Sequence, residues 1–168
     1  MSSGPPPMST TDEGLHAGDD LFVFAADGLT VTVAVNGQRA MYHATFLTPE
    51  NEWATVYSAE LTRPRHGVVL RGDGMWADHI CETPYEHWTV GLEAFAVVTA
   101  VEPTGDLVEL RGDLVALGLD VEWTTSGSIE LIPGGYRIPC AVEGEILFGD
   151  ESYGIEADGW RSHIWAEV

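Results

Sequence analysis

The run from Trp160 to Glu167 reads WRSHIWAE. In an extended backbone alternate residues share a face, so Arg161, His163 and Trp165 stand in a row opposite Trp160, Ser162, Ile164 and Ala166. An imidazole exchanges protons near neutrality and a guanidinium stabilises a developing oxyanion, which makes Arg161 and His163 candidate catalytic groups if that face looks inward. On an outward face, Arg161 would instead pair with one of the chain's many carboxylates. The third candidate is Glu93, within PYEHWTVGLEAF at 84–95, where it shares a strand face with His87 and Phe95. Buried beside an aromatic it becomes a candidate acid or base; solvated, it is an ordinary strand residue. His79 and Cys81 lie two apart, half of a zinc set, but no second such pair accompanies them. Neither a metal nor a cofactor is therefore expected.

The elements that must position these groups are strands. Asp27-Gly28, Asn36-Gly37, Asp73-Gly74, Gly134-Gly135 and Asp158-Gly159 each divide two β-rich runs, and such dipeptides supply the positive φ of tight hairpins. Between them the residues alternate. Leu29, Val31, Val33 and Val35 oppose Thr30 and Thr32; Val115, Leu117, Leu119, Val121 and Trp123 oppose Asp120 and Glu122. Trp53, Tyr57, Ala59 and Leu61 are read as one face. Further strands are expected at 21–26, 38–47, 67–72, 75–80, 86–101, 136–148, 152–157 and 160–167. Hairpin after hairpin, without long crossings, predicts an all-β fold: a single antiparallel up-and-down β-barrel of lipocalin-like (calycin) type spanning 21–168. The Pro/Ser/Gly-rich residues 1–20 read as a disordered leader.

Six Trp, five Tyr and five Phe are spread over many strands. In a barrel wide enough to leave an interior they would wall a ligand cavity, and Trp53, Tyr57, Trp76, Trp88, Trp123, Tyr136 and Trp165 are the expected ligand-binding residues. The same rings could simply fill the core.

Charge narrows the partners. Seven Lys+Arg, all arginine, against 27 Asp+Glu give a formal net charge of −20, which repels phosphate backbones and anionic lipid. Neither nucleic acid nor membrane is expected as a partner; the expected one is a hydrophobic small molecule, with a homodimer as a further expectation. Residues 1–20 lack the pattern of a secretory signal, and Cys81 and Cys140 sit in apolar runs as two reduced thiols, so a cytoplasmic location is expected.

The pieces PYEHWTVGLEAF at 84–95, GLDVEW at 118–123, YRIPCAVEGEILFG at 136–149 and the terminal WRSHIW resemble, in order and spacing, the lipocalin-like family of carotenoid hydratases (hydroxyneurosporene synthase) and related actinobacterial proteins. In that family the last piece usually reads R-D-H-S-W-G, so Arg161, His163 and Trp165 match while Ser162, Ile164 and Ala166 depart. Family members are typically about twice this long, with two lipocalin-like halves. A single-barrel version is similar in economy to the small β-barrel cyclases of bacterial polyketide pathways, such as the spirotetronate cyclases. The resemblance implies a cofactor-independent cyclase that closes a ring on a hydrophobic polyketide or isoprenoid by a pericyclic [4+2] or conjugate-addition step. Holding a flexible chain in its reactive conformer is worth up to roughly 7–11 kcal/mol in such a reaction. The alternatives are an isoprenoid hydratase or isomerase using general acid catalysis, and a non-catalytic carrier.

Overall fold

The computed structural model describes residues 9–65 and 67–166. A 3-10 turn at Thr10–Glu13 precedes eleven strands: β1 (Asp19–Ala26), β2 (Leu29–Asn36), β3 (Arg39–Leu47), β4 (Trp53–Thr62), β5 (Val68–Gly72), β6 (Met75–Thr83), β7 (His87–Thr99), β8 (Asp113–Thr125), β9 (Glu130–Ile132), β10 (Gly135–Phe148) and β11 (Glu151–Ala166). All pairings are antiparallel. Hydrogen bonds ring through eight strands in the order β4-β3-β2-β1-β11-β10-β8-β7 and back to β4. The fold is the all-β antiparallel barrel that the alternation predicts, though an uneven one.

The unevenness has a simple geometric origin. β4 and β7 close the ring through only three residue pairs, from Trp53↔Thr99 to Thr55↔Val97. Further along, β7 instead pairs with β6 from Ala94↔Met75 to His87↔Thr83, and β5 pairs with β6. The β5–β6 hairpin is thus a wedge driven into one end of the wall. That end is wide and carries the start of β1, the start of β10 and the end of β11; the other end is narrow.

Burial follows the alternation. Leu29, Val31, Val33 and Val35 are buried, as are Leu117, Leu119, Val121 and Trp123. Glycines at positive φ make the turns expected at Gly28, Gly37, Gly74 and Gly134. Two expectations fail. In β4 the register with β3 shifts between Ala40 and Tyr42, so Ala54, Val56 and Leu61 are buried while Trp53 and Tyr57 lie on the other face. A bulge reverses the parity that strict alternation assumes. Asp158-Gly159 is also no turn, because β11 runs unbroken from 151 to 166, paired along its length with β10. Gly159 serves close approach instead: a Cβ there would collide with the carbonyl oxygen of Ala25 on β1.

Aromatic rings meet across the interior. Phe22 and Phe24 on β1 reach across the axis to Trp88 on β7, with ring centroids 5.8 and 5.7 Å apart, and Phe24 meets Trp123 on β8 at 5.4 Å. An eight-stranded ring is wide enough for its own side chains to meet or to hold one small ligand, and Trp88, Trp123 and Tyr136, expected as ligand-binding residues, are buried within it.

The expected leader also needs correction. Residues 1–8 lie outside the described residues, but from Ser9 on, well before Asp20, the chain takes up defined structure. Ser9 caps the 3-10 turn by accepting from the Thr11 amide, while Asp12 accepts from the Ser9 amide. From there the chain crosses the wide end as a strap, burying Glu13 before it enters β1.

Candidate functional site

Glu13 projects from the strap into the wide end of the barrel and is 2% exposed. Both terminal nitrogens of Arg161 donate to it, each at 2.8 Å. Trp88 Nε1 and the Tyr85 amide also donate, at 2.8 Å each, and the Tyr136 hydroxyl donates to Oε1. Five nitrogen and oxygen donors from β7, its preceding turn, β10 and β11 therefore converge on one carboxylate, with the Cys81 thiol of β6 a weaker sixth at 4.0 Å. Burial alone would raise its pKa, but the hydrogen bonds and charge of Arg161, with Tyr136 and Trp88, outweigh that and hold it below the ordinary 4.5. Burial and the neighbouring Glu13 push Tyr136 far up and Cys81 up to about 11, so neither supplies an anion at neutrality.

A second cluster adjoins the first. Asp20 Oδ1 lies 2.8 Å from His163 Nε2 and 3.0 Å from His16 Nδ1, and Asp20 Oδ2 accepts from the His16 amide at 3.0 Å. The remaining ring nitrogens turn to Asp12: His163 Nδ1 lies 2.8 Å from its carbonyl oxygen and His16 Nε2 lies 3.1 Å from its carboxylate. Stacking fixes both rings, His163 on Phe22 at 3.9 Å and His16 on Trp165 at 4.4 Å. Burial would raise the Asp20 carboxyl, but the hydrogen bonds from His163 and His16 win and lower it.

Deeper in the barrel, His79 is fully enclosed and neither ring nitrogen has a partner among the described residues; nor do the Tyr42 hydroxyl and Trp123 Nε1. Burial without a counter-charge lowers His79 to about 3, so it is neutral.

Three crevices lie on the outer surface. One of about 780 Å³ opens where the β5–β6 hairpin stops short at Gly74 and β4 leans over to meet β7. There Val56, Tyr57 and Ser58 are paired to β3 on one side and to no described strand on the other. Phe95, Val108 and Leu114, all more than 60% exposed, line it. Two smaller hollows flank Trp76, Glu93 and Leu147 on the outer face of β6, β7, β8 and β10.

The sequence-derived candidates therefore separate. Arg161 and His163 lie together on the inward face of β11, with Trp165 beside them at the mouth. Glu93 is exposed on the outer face of β7 and is not part of that group. Trp88, Trp123 and Tyr136 are buried, the first and last facing Glu13. Trp76 lies outside, 45% exposed, beneath the Arg71 guanidinium at 3.9 Å. Tyr57 lines the seam crevice and Trp53 stands at the β4–β7 closure. Cys81 and Cys140 are free thiols. Asp12, Glu13, His16 and Asp20 were missed because their composition reads as leader. The Ser9-x-x-Asp12 capping pattern was the one local signal of order there. No family model, no curated protein and no solved structure matches the chain.

Proposed function

We propose that this protein binds an apolar small molecule in the seam crevice between β4 and β7. The observation that carries this reading is the contrast between a packed barrel axis and an open groove of about 780 Å³ lined by Phe95, Val108 and Leu114. That volume is in the range that encloses a drug-sized ligand, and the unpaired stretch of β4 offers main-chain groups to orient it. The crevice wall is made mainly of apolar side chains and strand backbone, so the reading is of a carrier. The test is titration with the neutral fluorophore Nile red. Phe95→Asp and Leu114→Asp, both on exposed positions that leave the core intact, are expected to weaken binding at least tenfold. Unchanged binding in both variants overturns the reading.

A second reading, the cyclase of secondary metabolism, is favoured by one observation. The five donors around Glu13 form a preorganised receptor for an oxyanion or enolate of the kind that lowers barriers in ring closure. The resemblance of WRSHIW and PYEHWTVGLEAF to the hydratase family adds support. Here the strap withdraws and a polyketide or isoprenoid carbonyl takes the place of the Glu13 carboxylate, against Arg161 and Tyr136. Hydration by a protonated carboxyl has less behind it, since Glu13 is held ionised and Glu93, Asp120 and Glu122 are exposed. Small carboxylates such as acetate and hexanoate test the receptor: they are expected to raise the Tm of Glu13→Ala and leave the parent protein unmoved. Equal shifts in both remove this reading.

A further inference from the structure

We propose that His16, Asp20 and His163 form a site for a divalent transition ion of the zinc class, which clasps the strap to the last strand of the barrel. Their donor atoms, His16 Nδ1, Asp20 Oδ1 and His163 Nε2, all lie within 4.8 Å of one another. Four ligands about 2.0–2.1 Å from zinc sit roughly 3.3 Å apart, so the 2.8 and 3.0 Å to Asp20 open by a few tenths of an ångström and the two imidazole nitrogens, within 4.8 Å of each other, adjust to the same spacing.

Proximity alone would be an ion-pair cluster, but what surrounds the three donors is the support that metal ligands have. A ligating histidine as a rule donates its second ring nitrogen to a carboxylate or a carbonyl, which fixes the tautomer and aims the first. Asp12 does this for both rings, with its carbonyl on His163 Nδ1 and its carboxylate on His16 Nε2. Asp20 is held likewise, its Oδ2 by the His16 amide. Phe22 and Trp165 stack on the two rings and set their planes. Every non-ligating polar atom of the set is thus engaged, and the three ligating atoms face one another.

The ligand types select the ion. Two imidazoles and one carboxylate suit Zn²⁺, Co²⁺ or Ni²⁺ and are poor for Ca²⁺ or Mg²⁺, which take oxygen shells. Asp20 and His163 are buried, whereas the His16 side chain is 22% exposed, so the fourth position opens at the barrel mouth toward water. Because His16 belongs to the strap and His163 to β11, occupancy ties the segment that carries Glu13 onto the barrel. This site is distinct from the seam crevice and stands or falls without it.

The test is titration of the full chain, freed of metal by a chelator, with zinc chloride in excess Mg²⁺, which occupies the many surface carboxylates. One Zn²⁺ per chain is expected, with a rise in Tm, and Co²⁺ is expected to give the intense visible bands of a four-coordinate ion. His16→Gln, a change on the half-exposed strap that leaves the core untouched, is expected to weaken zinc at least a hundredfold. Asp12→Asn, which removes the carboxylate charge behind His16 but no ligand, is expected to cost about 10–100-fold. Zinc uptake abolished by Mg²⁺, or left within twofold by His16→Gln, overturns the site and leaves an ion-pair cluster.

Discussion

Glu13 and Arg161, 148 residues apart in the chain, meet through two parallel hydrogen bonds of 2.8 Å in the wide end of the barrel. Neither residue has another opposite charge within salt-bridge distance among the described residues, so each is the other's neutralising partner. The contact joins the strap to the last strand and completes the core.

Removing one partner strands the other. Glu13→Ala leaves a buried guanidinium unpaired and is expected to cost about 3–5 kcal/mol in urea unfolding. The double replacement Glu13→Leu with Arg161→Met is expected to recover most of that loss, since an apolar pair avoids the desolvation of both charges. A double variant no more stable than the single one would contradict this account.

Acid should open the same contact. The folded Glu13 carboxyl lies below its unfolded 4.5, so its contribution is complete above about pH 4.5 and is lost as pH falls through the lower folded value. Urea midpoints of the parent protein are expected to drop through this window. In Glu13→Gln that part of the drop should be missing.

His79 acts in a higher window. Its folded value of about 3 lies below the ordinary 6.5, so below pH 6.5 the unfolded chain takes up a proton that the folded one does not. Stability should therefore fall from pH 6.5 toward 3, by up to about 1.4 kcal/mol per pH unit. His79→Leu keeps an apolar side chain of similar size and is expected to flatten the slope between pH 6.5 and 4.5. A slope unchanged in that variant assigns the effect elsewhere.

At Gly159 a turn and a strand predict opposite results. A turn there would tolerate alanine at the surface, whereas a Cβ at this position collides with the Ala25 carbonyl and comes within 2.8 Å of Val142 Cγ2. Gly159→Ala is expected to cost about 1–3 kcal/mol, read as a lowered urea midpoint. A neutral result would argue for a break in β11.

What the sequence determined by itself was set by local rules. Period-two alternation at Leu29–Val35 and Leu117–Trp123 marks strands half-buried in a single sheet, and Asn36-Gly37 or Asp73-Gly74 supplies the positive φ that a hairpin needs. From these the antiparallel barrel was legible, and so was the row of Arg161, His163 and Trp165. Tertiary structure decided the rest, because it depends on what lies across the ring. Which face of β11 looks inward follows from ring closure, the β4 parity from a bulge opposite β3, and the packed axis from aromatics on β1 meeting those on β7 and β8. Above all, nothing near Glu13 in the chain announces Arg161. A polar, Gly-rich segment reads as unstructured until the barrel offers it five donors, and only the closed fold brings them to one point.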